Sequence, residues 1–411
     1  MFSFSHWFSS QPQAVSLPLH GPHKQQEAQQ AILAEHLSEK SPAIDPITQK
    51  PVVATQTNIG GFVCGLSKQV YDFAWHPKEK NTYAFSVANN APQITIDNGN
   101  WEQIMHVGLN MAEEPCLSFN HEGTLLASKE GNNWGALAQG IKLYNLNSKQ
   151  ASSIAIENPM ALVWHATKNR IAITKNRGGT DVLEVNEKTL ETKQTCNFKN
   201  SAGTTRWWDL AWNPQEETIA TVIDGKDPLI ALWNSETGEQ KTTYQPYYYP
   251  NQLQWDPSGK ALAYTNVYQG KKQLTLLTAL GTKLFQVVFG NEIGYRQDQG
   301  AWINNKLPVC SGNNVYIFNA EVQKIETTLQ HNSPVLQVAS TRDGKWHVTG
   351  LADRLVVWNE KFQKHREVKL DTTNLVKIAF NSDNSKLGVE GINQQDVYPV
   401  LGYYTLEELT K

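Results

Sequence analysis

Val70-Tyr71-Asp72-Phe73-Ala74-Trp75-His76-Pro77 places two apolar side chains two residues apart and stops at a polar residue and a proline. Trp207-Trp208-Asp209-Leu210-Ala211-Trp212-Asn213-Pro214 has the same form, and so does Asn251-Gln252-Leu253-Gln254-Trp255-Asp256-Pro257. A period of two puts Phe73 with Trp75, Leu210 with Trp212 and Leu253 with Trp255 on one face of a strand. The polar-Pro pair ends that strand, because proline has no N–H for a ladder and restricts the residue before it.

Weaker copies fill the intervals. Leu117-Ser118-Phe119 precedes Asn120, Leu162-Val163-Trp164 precedes His165, and Ile378-Ala379-Phe380 precedes Asn381. Near Val338 the aromatic is lost but the turn Asp343-Gly344 remains, and the copy at Trp302 is the weakest. The anchors Trp75, Phe119, Trp164, Trp212, Trp255, Trp302, Ser340 and Phe380 fall 38 to 48 residues apart. A second motif runs in phase with the first. It reads Ile141-Lys142-Leu143-Tyr144-Asn145, then Val182 to Asn186, Leu229 to Asn234, Leu274 to Thr278, Val315 to Asn319 and Leu355 to Asn359. With a short middle strand and a vaguer fourth, each unit holds four short antiparallel strands, the pattern of a propeller blade.

The units resemble WD repeats. Trp233-Asn234 and Trp358-Asn359 stand where that family has its Trp-Asp pair, and His331 resembles the histidine before its first blade strand. The chain departs from the family in lacking Gly-His pairs and in replacing most of the Asp residues by Asn. The resemblance covers about residues 60 to 403 and implies an all-β, WD40-like β-propeller. Eight units imply eight blades, with seven as the alternative if the copy at Trp302 or the last unit is irregular. A blade cannot bury both faces alone, so the ring must close. The last unit ends near Tyr403, and Pro51 to Thr57 is expected to supply its outer strand from the N-terminal side. The domain plan is therefore an extension over 1–50, the propeller over 51–403 and a tail over 404–411. The extension carries an aromatic tip (Phe2, Phe4, Trp7, Phe8) and a helix over 23–40, where no Pro or Gly occurs.

The bulk numbers exclude several function classes. The formal net charge is -3, with 36 basic and 39 acidic residues and no dense basic block. No nucleic-acid footprint follows from this. Four cysteines, Cys64, Cys116, Cys196 and Cys310, lack metal-ligand spacing, and eleven histidines show no paired spacing. This usage fits a reducing, cytoplasmic setting; an effector delivered into a host cytosol is the other compatible one. No apolar run is long enough for a membrane helix, and the first residues do not form a signal peptide. Neither HExxH, GxSxG, a Walker loop nor a strand-borne GxGxxG occurs, so no catalytic residue, cofactor or metal is expected. His76, His121 and His165 follow strand anchors and read as turn residues.

What remains is aromatic. Tyr247, Tyr248 and Tyr249 stand between Pro246 and Pro250 just before one anchor strand. Arg206, Trp208 and Asp209 stand at the same stage of the preceding unit. Equivalent stages of adjacent blades lie side by side on one rim, and Tyr, Trp and Arg dominate interface hot spots. These six residues are the expected partner site of a non-catalytic scaffold that binds another protein or peptide through its rim loops. The competing expectation is an enzyme or small-ligand binder at the mouth of the central channel. Asp72, Asp209, Gln252, Gln337 and Lys377, each three residues before an anchor, are the side chains expected to line that channel.

Overall fold

The computed structural model describes residues 61–65, 69–88, 93–97, 103–108, 117–131, 138–176, 178–198, 207–223, 227–289, 300–370, 372–393 and 399–411. The aromatic tip and the helix expected over 23–40 lie outside the described residues.

Eight small antiparallel sheets follow one another along the chain, seven of four strands and one of three. Blades 1 to 5 begin at Gln69, Ser118, Pro159, Trp207 and Asn251, and each runs from inner to outer strand in chain order. Blade 6 has three strands, Lys306–Ser311, Asn314–Asn319 and Lys324–Gln330. The weak copy at Trp302 forms only an isolated bridge, Ile303 to Lys306, in place of an inner strand. Blade 7 spans Gln337 to Lys369, and blade 8 is built from Thr372–Phe380, Lys386–Asn393 and Pro399–Thr405.

Blade 8 takes its outer strand from the other end of the chain. Gly61–Gly65 pairs antiparallel with Pro399–Thr405, with Gly61 opposite Tyr403 and Gly65 opposite Val400. Closure thus comes from the N-terminal side, through 61–65; the expected 51–57 lie outside the described residues. The C-terminal residues are also not a free tail. Tyr404 is a buried member of the last strand. Leu406–Thr410 forms one helical turn, started by a capping box between Thr405 and Glu408. Leu409 is buried, and the outer strand of blade 7 holds this turn through Arg366 Nη1 donating to the Glu408 carbonyl at 2.9 Å.

The apolar faces explain the ring. Eight separate buried clusters occur, and each joins two neighbouring blades. Leu143 of blade 2 meets Trp164 and Ile171 of blade 3, for example. The last cluster sets Phe73 and Tyr83 of blade 1 against Leu401 of blade 8. Each sheet therefore covers its neighbour, and closure leaves no naked end.

The anchors add a directed bond to this packing. Trp75, Trp164 and Trp255 each donate their indole N–H to a carbonyl of the preceding blade. The acceptors are Ala379, Ser118 and Ala211, at 2.9, 2.9 and 3.1 Å. Each acceptor is the residue just before that blade's own anchor. Trp212 occupies the matching place but makes no such bond; its ring instead meets His165 edge-on at 4.8 Å and lies under Arg170.

After several anchors the next residue caps the following turn and reaches the next blade. His76 Nδ1 accepts from the Glu79 N–H at 2.8 Å while Nε2 faces the Gly123 carbonyl at 3.1 Å. Asn213 accepts from the Gln215 N–H and donates to the Gly259 carbonyl, both at 2.8 Å. Gly123 and Gly259 adopt positive φ, and a Cβ there would collide with His76 and Asn213. The Asn that replaces the family's Asp has its own local task. Asn234 Oδ1 accepts from the N–H groups of Glu236 and Thr237, and Asn145, Asn186, Asn319 and Asn359 do the same in their turns.

Candidate functional site

The antiparallel meander puts two kinds of connection on each rim. One rim carries the loops that enter inner strands together with the hairpins between second and third strands. The other rim carries the capped turns just described.

The inner strands share a local irregularity near the first rim. Their pairing register shifts between Val70 and Asp72, Trp207 and Leu210, Asn251 and Gln254, and Leu375 and Lys377. A bulge of this kind turns a side chain away from its regular direction. In blades 1, 4 and 8 the residue three before the anchor sits in or beside the bulge, and its side chain reaches the next blade. Asp209 Oδ2 accepts from the Leu253 N–H at 2.8 Å, while Oδ1 accepts from its neighbour Leu210 at 2.8 Å. Asp72 Oδ2 likewise accepts from the Leu117 N–H at 2.9 Å. Lys377 donates to Asp72 Oδ1 at 2.6 Å and to the Phe73 carbonyl at 2.7 Å. These groups bind inner strand to inner strand. Gln252 sits at a positive φ in its bulge and accepts from the Thr265 hydroxyl at 3.2 Å.

Burial sets their charge. It pushes the Asp209 carboxyl above the ordinary carboxylate range, against the pull of the Leu253, Leu210 and Gln252 N–H groups. Burial, and next the Asp72 carboxylate, raise Glu390 to about 8 despite Lys377 beside it. On the opposite rim, Glu217 joins blades 3 and 4 by binding Lys168, Arg170 Nη1 at 3.0 Å and Ser235 Oγ at 2.6 Å. Burial alone would raise Glu217, but Lys168, Ser235, His165 and Arg170 outweigh it and bring it to about 2. His76 and His165 are turn caps whose imidazoles burial holds below the ordinary value. No three His, Cys, Asp or Glu side chains gather as a metal site among the described residues. No helix among the described residues is long and apolar enough to cross a membrane.

The tyrosines stand on the first rim, in the loop entering blade 5. Tyr247 is 83% exposed and Tyr249 51%, which is unusual for rings of this size. Pro246 and Pro250 are buried on either side and pin the loop to the blade. Tyr248 is half-buried between two edge-on contacts, to Tyr247 at 5.0 Å and to Tyr268 at 5.3 Å. Tyr268 lies at the tip of the hairpin between the second and third strands of blade 5, beside the 43% exposed Val267. These two residues belong to the patch but carry no local motif; only the hairpin pattern of 266–272 points to that rim. Asp209 lies behind the patch, tied to the strand that follows the tyrosines. Trp208 sits in the strand Trp207–Trp212, its side chain outside the described residues, and Arg206 is outside them altogether.

No family model matches the sequence, and a search of curated proteins returns no relative. Solved structures do match in shape. Sqt1 of Chaetomium thermophilum, bound to the N-terminus of the ribosomal protein L10, aligns with a TM-score of 0.64 at 14% identity, over 85% of this chain and 100% of that one. This is a WD40-like β-propeller. Sqt1 of Saccharomyces cerevisiae aligns with the propeller at a TM-score of 0.64 and 12% identity, over 84% of this chain and 98% of that one. The dihydro-heme d1 dehydrogenase NirN aligns at 0.61 and 12%, over 83% of this chain and 76% of that one. The propeller architecture thus carries a bound protein segment in one match and a dehydrogenase in another, and likeness of shape does not choose between them.

Proposed function

We propose that this propeller is a protein-binding platform whose contact surface is the aromatic rim of blade 5. One observation carries the reading: Tyr247 and Tyr249 are held in solvent on a loop fixed by two buried prolines, next to Tyr248 and Tyr268. Aromatic rings left exposed on a rigid frame bury large apolar area on contact and lose little conformational freedom. Arg206, Trp208 and Asp209, which stand at the same stage of the preceding unit, are included in the proposed site from their place in the sequence. Asp209 supports it from behind, since both its oxygens already accept backbone N–H bonds. The partner is a protein or peptide; the net charge of -3 speaks against a phosphate backbone. The engagement of the inner-strand carboxylates with neighbouring blades favours this reading over a channel-mouth enzyme.

The test is quantitative affinity capture with the wild type and with Tyr247→Ser/Tyr249→Ser. A discrete set of proteins should be retained by the wild type and fall at least tenfold in the variant. An identical set with both proteins would overturn the assignment of the site.

A further inference from the structure

Every outer strand of a propeller leaves one edge without a ladder partner. In this chain five of the described outer strands carry lysine: Lys193, Lys241, Lys283, Lys324 and, in blade 7, Lys364 and Lys369. Lysine on an edge discourages pairing with another chain. In blade 7 the C-terminal helical turn lies against that strand as well. The outer strand of blade 2, Ala151-Ser152-Ser153-Ile154-Ala155, has neither device; Gln103–Gly108 of blade 1 and Gly61–Gly65 of blade 8 also lack lysine, but only the strand of blade 2 borders a described groove. It pairs on one side with Ala138–Asn145 and stands at the end of its sheet. Four of its five side chains are Ala or Ser, so another backbone can approach without meeting bulk. Ile154 is the exception, and it leans on the apolar cluster shared with blade 3.

That edge borders a groove. A hollow of about 850 Å³ lies between blades 2 and 3, with Ser152 and Ile154 on one wall and Val185, Leu190 and Thr192 on the other. A second hollow of about 170 Å³, lined by Glu157, Lys175 and Asp181, continues it; Ala155 belongs to both. The groove therefore follows the strand along its length, roughly 17 Å for five extended residues.

The charges in the groove are unequal. Lys175 is bound to Asp181 at 2.8 Å, and Lys193 lies opposite Glu184 in the ladder. The carboxylates of Glu191 in the first hollow and Glu157 in the second have no cation bound to them among the described residues. A guest with a positive side chain near each end complements that arrangement.

We infer that the outer edge of blade 2 accepts an extended, basic peptide segment of another protein as a fifth strand, laid in the groove between blades 2 and 3. Main-chain hydrogen bonds to Ala151–Ala155 hold it, small or β-branched side chains fill the groove, and lysine or arginine near its ends meets Glu157 and Glu191. This surface is on the side of the ring and does not depend on the aromatic rim.

The probe is the acetylated, amidated hexapeptide Lys-Thr-Val-Thr-Val-Lys, compared with the same peptide N-methylated at alternate backbone nitrogens. Binding to the full-length protein is read by fluorescence anisotropy and by amide hydrogen exchange. The expected result is saturable binding with new protection of the amides in 151–155. N-methylation of the peptide should weaken binding at least tenfold, and so should Ser153→Pro. Ser153→Lys, an exposed change that keeps the backbone N–H, should weaken it too, and it keeps the test readable if the proline variant fails to fold. Glu157→Lys/Glu191→Lys should cost a similar factor at low salt. Three results would overturn the proposal: equal binding of the N-methylated peptide, protection only at the rim of blade 5, or no binding. An edge already protected in the free protein would assign the groove to the chain itself, and would also overturn the proposal.

Discussion

Lys377 of blade 8 holds its Nζ 2.6 Å from Asp72 Oδ1 of blade 1, and the other oxygen of Asp72 accepts from the Leu117 N–H of blade 2. One carboxylate thus ties three blades across the seam where the two ends of the chain meet. Glu390 sits opposite Lys377 in the ladder of blade 8, 1% exposed, with Oε2 unpartnered. Asp72→Asn keeps the shape but removes the charge that Lys377 contacts. It should lower stability by about 1.5–3 kcal/mol, the loss expected for a hydrogen bond to a charged group. Chemical denaturation of the two proteins at pH 7 measures it.

Glu390 makes the same seam pH-dependent. Its carboxyl is raised from 4.5 to about 8, so the folded protein holds a proton that the unfolded chain releases. Stability therefore falls as pH rises from about 4.5 to about 8. Glu390→Gln, which cannot ionise, should flatten this dependence and raise Tm above that of the wild type at pH 8. Thermal scans of both proteins between pH 5 and 9 check the sign.

Glu217 should act in the opposite direction. Its carboxyl is lowered from 4.5 to about 2, so its contribution is present above 4.5 and is lost as pH falls through about 2. Glu217→Gln should destabilise the junction of blades 3 and 4 at neutral pH, and the difference from the wild type should shrink in acid. Arg170, which is buried, would lose its ion pair while keeping its 2.5 Å bond to the Ser235 carbonyl. Urea titrations at pH 7 and pH 3 give the comparison.

The anchor tryptophans separate packing from hydrogen bonding. Trp255→Ala should cost about 3–5 kcal/mol through the cavity it leaves. Trp255→Phe retains much of the bulk but removes the second donor to the Ala211 carbonyl, which should cost about 0.5–1.5 kcal/mol. Trp212→Phe removes an N–H that has no partner and should cost less than Trp255→Phe. Equal losses from the two Phe variants would show that the indole bond contributes nothing.

Gly259 is required by the blade before it. A Cβ at this position would lie 2.3 Å from Asn213 Oδ1, and the backbone φ is +71°. Gly259→Ala should cost about 1–3 kcal/mol. Asn213→Ala in the same chain should relieve part of that loss, since it removes the atom struck. A double-mutant cycle by denaturation measures the coupling.

Much of this architecture could be read from the chain because a propeller repeats one local pattern. Trp75, Trp164, Trp212 and Trp255 announce inner strands through period-two alternation and a turn-forming successor, both local properties. Asn234 and Asn359 mark the ends of third strands because their side chains serve the very next turn. The weakness of the copy at Trp302 matches blade 6, where 300–305 form only an isolated bridge among the described residues. By composition alone 51–57 is the better candidate for the closing strand. Gly61–Gly65 is fixed instead by its register against Tyr403 and Val400, a pairing more than 300 residues distant along the chain. Strict alternation does not foresee the bulges that let Asp72 and Asp209 bind the next blade. Tyr247 and Tyr249 were legible as an aromatic run between prolines. Tyr268 was not, because only the folded hairpin brings it to Tyr248. The edge of blade 2 escaped notice for the same reason: its groove draws on residues from two blades.

The most direct measurement of the platform reading places a photocrosslinking amino acid at position 247 and, in a second protein, at position 322 on the opposite rim. Val322 is also exposed, at 51%, and serves as the control. Crosslinking in extract of the source cell, scored by mass, should give a discrete adduct from position 247 that excess unmodified protein removes, and none from position 322. Equal adducts from both positions, or none from 247, would contradict the assignment of the blade 5 rim as the surface through which this propeller binds its partner.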